Sequence, residues 1–122
     1  MSSNTANQSI IRKALLTAAL GGDPAVSKVE IKQVELAPAQ RAGRHMHPCP
    51  VVGYIAKGAV DFQIEGGPVE TLRAGAAFYE PAGVTISRFD NASDSEPLTF
   101  IAFYLLGAGE DELIRMLPQS GG

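Results

Sequence analysis

The sequence predicts an all-β protein, a small antiparallel β-barrel of two packed sheets, and three observations carry that expectation. From Val26 onward, short apolar runs alternate with polar residues at a period of two, the signature of half-buried strands. The runs are punctuated by turn residues, with 13 glycines and 8 prolines in 122 residues, a density that suits short strands better than long helices. At 45% hydrophobic and 19% charged, the chain has the composition of an ordinary globular domain, and its length serves one core. The expected organisation is a flexible tail over residues 1–9, which brings no apolar surface to offset the entropy of ordering it, and a single barrel domain over 10–122.

Ile10 to Leu20 reads either as a short helix closed by Gly21 and Gly22 or as an extended arm on a sheet edge; periodicity does not separate the two. Val29 and Ile31 then alternate with Glu30 and Lys32, and the apolar positions slip to Val34 and Leu36, which predicts a bulge near Gln33. Val51–Ile55 is the next strand, followed by Val60, Phe62 and Ile64 with a turn at Gly66-Gly67. Val69–Leu72 runs to the turn at Ala74-Gly75, and Phe78-Tyr79 runs to Pro81-Ala82-Gly83. Val84–Phe89 precedes the polar stretch Asn91 to Pro97, and Leu98–Leu106 is a continuous apolar run. The tail from Glu110 to Leu117 opens on acids, where a helix dipole favours them, and is compatible with a short C-terminal helix covering an end or edge of the barrel.

Composition excludes several functions. The net charge of −3, with 10 scattered lysines and arginines, offers no footprint for a phosphate backbone, so no nucleic-acid partner is expected. No run approaches the roughly 20 apolar residues of a membrane span, and none is expected. The lone Cys49 has no partner for an intramolecular disulfide, and Ala14–Leu20 lacks a clear cleavage site; both make the cytoplasm the expected location. Nucleotide-binding glycine loops and the G-x-S-x-G elbow of serine hydrolases are missing.

Gly43-Arg44-His45-Met46-His47, with Val51 four residues on and Gly58 seven beyond that, resembles the first motif of the cupin superfamily, in which H-x-H is followed by a glutamate and a glycine. Gly75, Pro81, Gly83, Ile86 and Asn91 resemble the second motif, G-x5-P-x-G-x2-H with a downstream asparagine. The segments HPCPVVGYIAKG, GGPVETLRAG and FYEPAG are similar to those of small single-domain bacterial cupins. The resemblance implies a jelly-roll barrel, paired as a homodimer, with a small-molecule ligand inside. In metal-binding cupins two histidines, the glutamate and a third histidine hold the ion. Here His45 and His47 match, whereas Val51 and Ile86 stand in place of the other two donors.

At i and i+2 on a strand, His45 and His47 point to one face, as a shared divalent metal requires. Two histidines bind such an ion weakly, so a further donor is needed. Glu80 is the first candidate, since a carboxylate with two histidines forms the facial set of non-heme iron enzymes; Cys49 is the second. Iron, manganese, zinc and nickel all remain open. Val51, Gly53 and Ile86 are expected to line a hydrophobic ligand pocket. Arg88, sharing the parity of Ile86, joins them as a group able to grip a carboxylate, against its reading as a solvated surface arginine. Tyr54 has the opposite parity and is the pocket candidate expected on the outside, against a partner subunit. Three functions are consistent with these residues: a small-molecule-binding protein with a partial two-histidine metal site, a metal-dependent oxygenase, isomerase or lyase acting on a small organic acid or aromatic, and a ligand-sensing regulatory module.

Overall fold

The computed structural model describes residues 10–21 and 25–118; the expected flexible tail over 1–9 lies outside them. The fold is all-β. Its strands are β1 (Lys28–Leu36), β2 (His45–Met46), β3 (Val51–Lys57), β4 (Ala59–Ile64), β5 (Glu70–Arg73), β6 (Ala77–Glu80), β7 (Thr85–Asn91), β8 (Leu98–Leu106) and β9 (Arg115–Met116). They form a four-stranded sheet in the order β1-β8-β3-β6 and a five-stranded sheet in the order β5-β4-β7-β2-β9, with every pairing antiparallel.

Strict alternation along β8 places Leu98, Phe100, Ala102, Tyr104 and Leu106 inside and leaves Ile101, Phe103 and Leu105 half-buried on the outer face. This explains the continuous apolar run: the inner face of β8 fills the core, and on its outer face Phe103 and Leu105 share a groove with Leu15 and Leu16 of the N-terminal segment. Phe62, Phe78, Phe89 and Phe100 meet between the sheets edge to face, with the rings of Phe89 and Phe100 4.7 Å apart.

Asn91, the asparagine of the second motif, is a structural residue. Its side-chain amide donates to the carbonyls of Ala37 (3.0 Å) and Glu96 (2.8 Å), and its oxygen accepts from the Ser93 N–H (2.9 Å). One 7% exposed side chain thus satisfies three backbone groups, one on the β1–β2 loop and two on the β7–β8 loop. Asn91→Ala is expected to lower stability by about 2–4 kcal/mol, because it orphans several of those groups at once. Urea denaturation checks this, and a loss within about 0.5 kcal/mol would mean that water replaces the amide.

Three local expectations are corrected. β1 pairs with β8 without interruption from Lys28↔Leu106 to Leu36↔Leu98, so there is no bulge at Gln33. Val29 and Ile31 instead stay on the outer face, 49% and 62% exposed. Ile10–Gly21 forms neither helix nor strand; it lies as an irregular arm over the outer face of the four-stranded sheet, where the Tyr79 hydroxyl donates to the Ala19 carbonyl. No helix forms over Glu110–Leu117. Glu110 closes a turn by accepting the Gly107 N–H, and Arg115–Met116 pairs with β2 as β9. A two-turn helix is marginal by itself, whereas the edge of β2 offers the same backbone groups a ready ladder and lets Leu113 pack on the core.

Candidate metal centre

His45 and His47 come from the five-stranded sheet and the loop that leaves β2, while Glu80 ends β6 in the four-stranded sheet. All three point into the barrel and are 3%, 5% and 3% exposed. The two imidazoles sit edge to face with centroids 5.0 Å apart. His47 Nε2 lies 2.6 Å from Glu80 Oε1, and His45 Nε2 lies 3.5 Å from the same oxygen. One ligand atom from each of the three residues falls within 4.8 Å of the others.

The far side of each ring fixes what those atoms are. His45 Nδ1 is 2.7 Å from the Gly43 carbonyl, and His47 Nδ1 is 2.7 Å from the Leu113 carbonyl. A carbonyl only accepts, so both Nδ1 atoms carry hydrogens, and a neutral ring then presents Nε2 as a lone pair. Despite the short contacts, Glu80 Oε1 is buried with no well-directed hydrogen bond. Two imidazole Nε2 atoms and one carboxylate oxygen therefore converge on one point. Burial pushes the Glu80 carboxyl up, but the two imidazoles, when they carry a second proton on Nε2 and turn it toward the carboxylate, outweigh it and hold the group below the usual carboxylate range. Burial pulls His45 down, yet Glu80 and the Gly43 carbonyl more than offset it and raise its proton affinity. Both directions describe a place that favours a cation, as a proton or as a metal ion. The residues fit a divalent metal: two neutral nitrogens and a carboxylate on one side, with the outer ring nitrogens anchored as metal-binding histidines require.

The centre opens on an interior cavity of about 120 Å³, walled by apolar side chains that include Val34, Val51, Phe78, Phe100 and Ala102, and by Tyr104. Val51 lines it and faces Glu80 across the β3–β6 ladder. The carboxylate therefore enters one strand over from the motif position that valine occupies. Ile86, on the rung opposite His45, is fully buried as core filling and does not line the cavity. Gly53 does not line it either, because the Phe78 ring covers it. Tyr54 is 41% exposed in a groove between the N-terminal arm and the outer sheet face. Arg88 is corrected: its guanidinium points outward and donates to Gln63. Gln63 pairs with Arg88 while Ile64 pairs with Ile86, so Ser87 is an extra residue that reverses the parity of β7 between them. Cys49 packs in the apolar core, where burial raises its pKa, and lies outside the ligand group. Sequence reasoning passed over Tyr104, whose parity along β8 with Phe100 and Ala102 would have found it, and over Leu113 and Ile114, which the expected helix concealed.

No curated protein sequence matches the chain significantly. Solved structures do. A cupin-like protein from Thermotoga maritima superposes with a TM-score of 0.64 at 21% identity, covering 75% of this chain and 65% of its own. A DMSP lyase from Ruegeria pomeroyi superposes at 0.63 and 17% identity, covering 77% of this chain and 45% of its own. An oxalate oxidase in complex with the substrate analogue glycolate gives 0.58 and 25%, with 73% and 46% covered. The chain thus spans less than half the length of the last two. No helix among the described residues is long and apolar enough to cross a membrane. The cupin domain model matches residues 32–104, more than half of the sequence, from within β1 to within β8 and including all three converging side chains; the chain is a member of the cupin family.

Proposed function

We propose that this protein binds a small organic molecule at a divalent metal ion held by His45, His47 and Glu80. The observation that carries the reading is the buried Glu80 Oε1, left without a directed hydrogen bond while two imidazole Nε2 atoms face it. Three protein donors on one side leave open positions for a ligand, and two histidines with one carboxylate match the donor set of non-heme iron(II) sites. A bound metal would supply Lewis-acid or redox chemistry to a ligand oxygen. The chain's own residues do the rest. The Gly43 and Leu113 carbonyls hold the rings in one tautomer, the phenylalanines exclude water, and Tyr104, which stacks edge-on against His47, offers a hydroxyl beside the centre.

No lysine or arginine lines the cavity among the described residues, so the metal would be the only positive charge available to an organic acid. The small apolar chamber favours a compact ligand that binds through oxygen. This geometry supports a metal-dependent oxygenase, isomerase or lyase over a metal-free binding module. Exposed Val29 and Ile31 on the edge strand β1, with exposed Tyr54 on β3, suit a homodimer across the outer face of the four-stranded sheet.

Metal analysis of untagged protein tests the proposal. Near-stoichiometric iron, manganese, zinc or nickel is expected in the parent and should vanish in His45→Ala, which should otherwise fold normally. A metal-free parent that also fails to take up iron(II) or cobalt(II) would overturn it.

A further inference from the structure

We infer that the C-terminal strap, Leu113 to Pro118, positions His47 and selects by size what reaches the metal cavity. The inference rests on the metal reading above and extends it to a segment outside the matched domain. The strap touches the histidine-bearing strand at every step. Leu113 gives its carbonyl to His47 Nδ1, Arg115 and Met116 lie opposite Met46 and His45, and the Leu117 N–H donates to the Arg44 carbonyl at 2.9 Å. The Arg44 side chain then bonds the Pro118 carbonyl at 2.9 Å while gripping Glu65 with two hydrogen bonds of 2.8 and 3.0 Å.

Ile114 sits between these anchors and, among the described residues, is the one that lines the cavity and is also widely exposed, at 45%. A side chain that meets the cavity on one side and solvent on the other is the cavity's wall at its thinnest point. β9 is only two residues long and pairs at the margin of its sheet, so it is the element whose opening costs least. Entry to the centre and the orientation of His47 are consequently one event: when the strap lifts, Ile114 leaves the mouth and Leu113 releases the ring. With the strap closed, a cavity of about 120 Å³ is smaller than the ~150 Å³ that accommodates one benzene. The class of ligand admitted is therefore small aliphatic carboxylates and similar oxygen donors, with arylcarboxylates shut out.

The test uses the full chain loaded with cobalt(II), alongside Ile114→Ala and Arg44→Gln. Ile114 and the Arg44 guanidinium lie at the surface, so neither change opens the core. EDTA is expected to remove cobalt about tenfold faster from both variants than from the parent, the scale on which outer partners of ligating histidines act. Acetate should shift the cobalt spectrum of all three proteins, and benzoate that of Ile114→Ala but not of the parent. In metal-free Arg44→Gln, ring nitrogen NMR should show His47 losing its single Nδ1-protonated tautomer. Equal removal rates in all three proteins would overturn the positioning role, and continued exclusion of benzoate from Ile114→Ala would overturn the size selection. If the parent takes up no cobalt, the metal reading fails separately. The NMR arm then decides the strap's role: a His47 tautomer unaffected in Arg44→Gln overturns it, and a released one sustains it.

Discussion

Replacing Glu80 by leucine is expected to strip the protein of metal and, at the same time, to raise the thermal stability of the metal-free chain. The two effects have one cause. Without an ion, Glu80 is a carboxylate buried at 3% exposure whose Oε1 has no directed partner, and an unsatisfied buried acceptor costs about 1–3 kcal/mol. Breaking a buried charge pair normally destabilises, because the surviving charge is stranded. Here nothing is stranded. Without the carboxylate each ring is simply neutral, with Nδ1–H still bonded to a backbone carbonyl. Leucine is close in volume and joins a wall already made of Val51, Phe78 and Ala102. Metal affinity should fall beyond the roughly 10–100-fold that outer partners command, since a direct donor is lost. Equilibrium dialysis with zinc or cobalt and thermal melts in chelator check the two arms. A metal-free Glu80→Leu protein that melts clearly below its parent would show that the carboxylate serves as a structural ion pair.

The same local physics explains how much of this protein is legible in its sequence. The major strands are, because a period of two between glycine and proline turns is a local property, and the turns at Gly66 and Gly75 fall where those residues stand. The inward direction of Glu80 follows from the alternation of β6, in which Phe78 and Glu80 share the buried face; only its distance from Val51 in sequence conceals that the two are rung partners. Arg88 was not legible. Parity counting requires an unbroken strand, and the extra residue Ser87 carries no mark that separates it from its neighbours. The tail was misread for a different reason. Its acids favour a helix start locally, but the edge of β2, nearly 70 residues earlier, determines the outcome by offering backbone partners. Local pattern therefore reveals the barrel and two imidazoles on one face, whereas the carboxylate's register, the cavity's wall and the strap that closes it are set by pairing between distant segments.

Gly53→Ala is expected to produce the largest loss of stability of any single methyl addition considered, more than about 4 kcal/mol, enough to prevent folding in a protein of ordinary stability. Gly53 sits in β3 opposite Phe78 on one side and Ala102 on the other. A Cβ there would collide with the Ile101 carbonyl oxygen and lie 2.6 and 2.8 Å from two carbons of the Phe78 ring. Neither neighbour can give way cheaply. The carbonyl belongs to the backbone of β8, which carries the ladders to both β1 and β3. The ring is 2% exposed and wedged against Phe62, Phe89 and Phe100, in an interior too dense to absorb an off-rotamer aromatic. Gly66→Ala separates this close approach from simple backbone strain. Gly66 has a φ of +87° but open space around its missing Cβ, so alanine there should cost only the 1–2 kcal/mol, roughly, of holding an L-residue in a left-handed conformation. Urea denaturation of the two variants makes the comparison, with failure of Gly53→Ala to accumulate as soluble protein counting as the extreme of the expected result. Midpoints that agree for the two would mean that Phe78 can swing aside, and the wall of the metal cavity would then be softer than its packing implies.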